Sequence, residues 1–152
     1  RQDFSSYRKL YFSEVRGVMD AYRDSIGDVW RYMFHRAGGD EETIAPEQLE
    51  ASVVTTVRML SEAFTKHDLK RQLPLFHISA TLFARMQWDT PRQYRANDFA
   101  DFGHAAAALG YCHAFATEKP LATLIRQSGL EREYESETLS SIQQVIAWLN
   151  SS

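Results

Sequence analysis

The sequence holds a single cysteine, Cys112, so no internal disulfide can form, and no Cys/His spacing resembles a zinc site. Its four prolines and seven glycines are too few for a turn-rich β-sandwich or barrel. No apolar stretch approaches the roughly 18 residues that a membrane span requires. The opening residues also lack the charged-then-apolar pattern of a secretory leader. A reducing cytoplasm is therefore the expected compartment. Charge of one sign is equally scarce: 17 basic against 20 acidic residues leave a net charge of −3. That balance excludes a broadly basic nucleic-acid coat but not a small local site.

What is present is globular in composition. Hydrophobic residues are 44% and charged residues 24%, which excludes disorder, and 152 residues suit a single domain over 1–152. Residue 1 is Arg rather than Met, so a processed, trimmed or partial chain is one expectation.

Tyr11, Val15, Val18, Tyr22, Ile26, Val29 and Met33 recur every three or four residues, which predicts one long helix ending at Gly38-Gly39. Gly17 and Gly27 each cost about 1 kcal/mol relative to Ala, and a bend is expected near Gly27. Pro46 suits the first turn of a second helix carrying Leu49, Val53, Val57, Leu60 and Phe64. Pro74 opens a third through Ile78, Leu82 and Met86. Asn97 reads as the N-cap of a fourth, with Asp98 in its first turn and an end near Gly110. The apolar run Tyr111–Thr117 predicts a buried strand, residues 119–127 a helix closed by Gly129, and residues 132–138 a second short strand. An amphipathic helix with Ile142, Val145, Ile146 and Leu149 ends the chain. The expectation is a mainly α-helical protein, all helix over residues 1–96, with a small α-β-α-β-α part over 97–150.

Chemistry concentrates in Asn97-Asp98-Phe99-Ala100-Asp101-Phe102-Gly103-His104 and in the strand ending at Thr117-Glu118-Lys119. Asp98, Asp101 and His104 are spaced by three and share a helix face. Carboxylates at a helix start and at the carboxyl end of a strand converge readily in a crevice. Oxygen ligands of this kind suit Mg²⁺ or Mn²⁺, which keep waters and contact phosphate. Asp101, Glu118 and Asp98 are thus the candidate metal-holding and catalytic residues. Arg92, Arg95 and Lys119, with Thr117 and His104, are the candidates for binding a nucleic-acid backbone.

The stretch Asp101 to Thr117, with Ala105 to Ala108 inside it and an acid beside the Thr, resembles the C-terminal part of PIN-domain nucleases. Asp101 matches the helix Asp of that family at the customary separation from the strand Thr, here Thr117. Glu118 stands beside that Thr, where the family more often has Asp one position later, at Lys119 in this chain. The resemblance covers residues 97–150, about a third of the chain. It implies a divalent-metal-dependent endoribonuclease acting on single-stranded RNA, often the toxin of a toxin–antitoxin pair. The family's opening strand, with its essential Asp, has no counterpart near Arg1, and Glu14, Glu50 and Glu62 carry no motif for the remaining acid. Either that strand lies upstream or the chain is a degenerate, non-cleaving relative.

Simpler roles compete with each of these. Asp98 serves equally as a favourable charge at a helix start. His104 and His113 suit packed, hydrogen-bonded imidazoles, and His35, His67 and His77 are scattered without metal spacing. Tyr7, Tyr11, Phe12, Tyr22, Trp30, Tyr32 and Phe34 crowd the first helix, a pattern of core or subunit interface. The alternative function is therefore a non-catalytic helical interaction or self-association domain, with a homodimer as its simplest form.

Overall fold

Pro46 and Pro74 each stand at the first position of a helix, where the missing N–H is no loss. The computed structural model describes residues 4–40, 43–89 and 95–151. Among them the chain is mainly helical: α1 (Phe4–Ala21), α2 (Arg23–Arg36), α3 (Pro46–Lys66), α4 (Pro74–Asp89) and α5 (Ala96–Tyr111) come first. Then follow β1 (Ala114–Ala116), α6 (Lys119–Ser128), α7 (Leu130–Tyr134), β2 (Glu137–Leu139) and α8 (Ile142–Ser151). The two strands pair in parallel, Phe115 opposite Thr138, and α6 and α7 form the crossover between them.

Helix α4 is the axle. Phe76 through Ala84 and then Met86 are all buried, so this helix is covered around nearly its whole circumference, with His77, Ser79 and Thr81 as its buried polar residues. Helices α1, α5 and α6 pack on it from different sides. Close approach is allowed by small residues: Ala80 and Ala84 on α4 are fully buried, as are Ala105 and Ala106 on α5. Val15, Val18 and Met19 of α1 and Val57 and Phe64 of α3 complete the core.

Three details correct the sequence expectation. The first helix breaks at Tyr22, not Gly27. The Tyr22 ring stacks on Phe99 at 5.5 Å and meets Phe76 edge-on at 6.1 Å, so tertiary packing rather than backbone freedom sets the break. Gly27 stays helical and lies against Val53. Next, residues 111–113 are not strand: α5 runs to Tyr111, and β1 begins at Ala114. Finally, residues 130–134 form a short helix, and the second strand starts only at Glu137 after Glu135, which takes the left-handed conformation at φ 56°. The C-terminal part is therefore α-β-α-α-β-α. Gly38 and Gly129 end α2 and α6 with φ of +85° and +75°, a conformation that favours glycine.

Candidate acid-lined cleft

Helix α5 begins with Arg95 in the N-cap position. The Asp98 side chain turns back to accept the Arg95 N–H at 2.7 Å, while the Asp98 N–H donates to the Arg95 carbonyl at 3.0 Å. Asp98 is buried and is occupied as the helix-start acid. Asn97, read as the cap, lies inside the helix and is exposed. Asp98→Ala is expected to lower stability by about 1 kcal/mol, measured by urea unfolding. An unchanged midpoint would show that Asp98 contributes nothing as a cap.

One turn on, Asp101 points from α5 into a cleft of about 180 Å³. Glu118, the N-cap residue of α6 two positions past the end of β1, lines the same cleft, as does Asp98. Met86, Phe102, Leu121 and Leu124 form its apolar wall, and Thr123 and Gln127 add polar groups. The three acids singled out in the sequence thus line one cleft. Asp98 is committed to its helix. The side chains of Asp101 and Glu118 make no hydrogen bond or ion pair among the described residues.

The other candidates separate. His104 and Lys119 are exposed and stand outside the cleft lining, as does Arg95. Thr117 extends the sheet, its N–H donating to the Leu139 carbonyl at 2.8 Å. Arg92 lies outside the described residues. Glu14 accepts from Gln87, Glu50 from Arg23, and Glu62 pairs with Lys66, all away from the cleft. No group of three His, Cys, Asp or Glu side chains among the described residues is arranged to hold an ion. Mg²⁺ is commonly held by one or two protein carboxylates, with waters and substrate phosphate filling the rest.

A second constellation escaped sequence reasoning. His77 is buried on α4, its Nδ1 2.7 Å from the Tyr11 hydroxyl of α1 and its Nε2 3.1 Å from Oε2 of Glu133 on α7. With Glu133 ionised, Nε2 carries the proton and donates to it, leaving Nδ1 to accept from Tyr11. Burial pushes the His77 pKa below the ordinary histidine value, and the Glu133 hydrogen bond only partly opposes this. Burial likewise raises Tyr11 and Tyr134 far above the usual phenol value. The Tyr134 hydroxyl donates to the Lys70 carbonyl, and Lys70 lies 3.8 Å from Glu133. Every named group is satisfied, and the network clamps α7 onto α1 and α4.

The fold and cleft define a mainly helical protein with a two-stranded parallel sheet and two unpaired carboxylates at the sheet's helix-bearing end. No family model, curated protein or solved structure matches the chain.

Proposed function

We propose that this chain works as a divalent-metal-dependent endoribonuclease of PIN-like type on single-stranded RNA, or is a degenerate remnant of one. The observation that carries the reading is that Asp101 and Glu118, from different elements, line one cleft with both side chains unpartnered. Asp101 and Glu118 would hold Mg²⁺ or Mn²⁺, with Asp98 fixing the helix start behind them. The ion supplies a bound water of lowered pKa and charge stabilisation for a phosphodiester. Arg92, Arg95 and Lys119 would hold the RNA backbone, with Thr117 and His104 nearby in sequence. Among the described residues β1 is paired on one side only. An antitoxin-type protein is the partner this reading implies. A reducing cytoplasm, which would keep the exposed Cys112 thiol free, is the compartment it implies. No described helix is long and apolar enough to cross a membrane.

The test is Mn²⁺ titration followed by NMR, with cleavage of labelled single-stranded RNA measured in parallel. Line broadening confined to amides around Asp101 and Glu118, and lost in Asp101→Asn, is the expected result. No binding at millimolar metal would remove the metal-dependent reading for this chain. Metal binding without RNA cleavage would mark the degenerate relative.

A second reading, a self-association domain, is favoured by a different observation: an apolar groove on α2 and α3 that no charged residue lines.

A further inference from the structure

The groove has a volume of about 400 Å³ and is lined almost wholly by carbon, with Ile26, Val29, Trp30 and Met33 of α2 facing Leu60 of α3 and Phe76 of α4. That volume falls within the roughly 300–1,000 Å³ of ordinary ligand pockets. Val29 and Met33 remain 58% and 64% exposed, and no charged residue lines the groove. A second apolar surface stands elsewhere on the same chain. In α8, Ile142, Ile146 and Leu149 are 74%, 53% and 63% exposed, and no residue of the helix is buried. Their i, i+4, i+7 spacing puts them on one face. The helix IQQVIAWLNS carries no charge.

We propose that α8 of a second copy docks into the α2–α3 groove, and that the exchange is reciprocal, giving a closed two-fold dimer. This inference rests on the self-association reading and is independent of the acid cleft. Three observations select the occupant. Groove and helix are both uncharged, so neither brings a charge that burial would strand. Anchors at i, i+4 and i+7 are the pattern by which an amphipathic helix enters an apolar groove. Area points the same way. The chain exposes 10121 Å², whereas a folded monomer of 17.5 kDa exposes roughly 7,900 Å². The excess of about 2,200 Å² per copy exceeds the roughly 800 Å² that each partner loses in a standard interface. Reciprocity matters because a one-way contact between distinct patches would continue into larger rings or open filaments.

The experiment uses two variants, Met33→Glu in the groove and Ile146→Glu on α8. Both positions are exposed in the monomer, so circular dichroism should stay at the wild-type value, and thermal midpoints should match at dilutions where every chain is monomeric, falling below wild type only where the wild-type chain is dimeric. Sedimentation velocity of the wild-type chain should show a dimer, and each variant alone should associate at least about tenfold more weakly. Mixing the two in equal amounts should restore part of the association, since Met33→Glu keeps an intact α8 and Ile146→Glu an intact groove. A wild-type chain that stays monomeric up to high micromolar concentration would overturn both this inference and the self-association reading. A dimer indifferent to both substitutions, or variants that fail to complement each other, would overturn the docking mode alone.

Discussion

Replacing His77 by Phe is expected to cost about 2–4 kcal/mol, because the substitution keeps the ring and removes both nitrogens. The Tyr11 hydroxyl would lose the acceptor 2.7 Å away, and Glu133 the donor at 3.1 Å. Glu133 retains Lys70 and partial contact with water, so most of the loss falls on Tyr11. For a chain of this size, each kcal/mol moves the thermal midpoint by roughly 2–4 °C, and a fall of about 5–15 °C is expected. The double variant Tyr11→Phe/His77→Phe should cost less than the sum of the two singles, since removing both partners leaves no orphaned hydroxyl. Additive losses would show that the two residues act separately.

The same network gives the protein a pH dependence of definite sign. Burial lowers the His77 pKa in the folded state, while the unfolded chain takes up the proton near pH 6.5. The unfolded state therefore binds more protons between those two values, and stability falls as the pH drops through that window. Above about pH 6.5 the contribution is fully present. Denaturant midpoints measured from pH 7.5 down to pH 5 should decline, and His77→Gln should flatten that decline. Stability that rose on acidification would mean that His77 is charged in the folded protein and paired with Glu133.

Leu82→Ala is the second large effect, about 2–5 kcal/mol. Leu82 is fully buried on α4, the helix that touches α1, α5 and α6, so no single neighbour can move in to refill the space. Met59→Ala, on the exposed face of α3, removes a side chain of similar size and should stay within about 0.5 kcal/mol. Urea unfolding of both, with an unchanged m-value, makes the comparison. A Leu82 loss as small as that of Met59 would mean that α4 is not the centre of the core.

Much of the architecture was legible because local rules and tertiary packing agree. Pro46, Pro74 and Gly129 mark helix ends by backbone chemistry that needs no neighbour. The three-residue spacing puts Asp98 and Asp101 on one helix face, but that Glu118 lines the same cleft depends on how the chain packs, which spacing alone does not encode. Residues 132–134 read as strand but lie in α7, because a five-residue helix is too short to show a period. Leu130 is buried and Glu131 bonds to the Thr138 N–H, so distant contacts decide that segment. The break at Tyr22 was hidden for the same reason, as it depends on Phe76 and Phe99. The His77 centre was not legible at all. Its partners lie 66 and 56 residues away, and no local pattern encodes such distances.

The bonds at Thr138 have a wider consequence. Its N–H donates to Glu131 and its carbonyl accepts from Arg126, while Glu137 and Leu139 bond toward β1. The outward backbone groups in the middle of β2 are therefore already spoken for by side chains of the crossover helices. A strand from another molecule that approaches this side finds no donor or acceptor at the central position. Unpaired strand rims are where chains most readily stitch together into aggregates. Arg126 and Glu131 act here as a selvedge, confining any growth of the sheet to the β1 side.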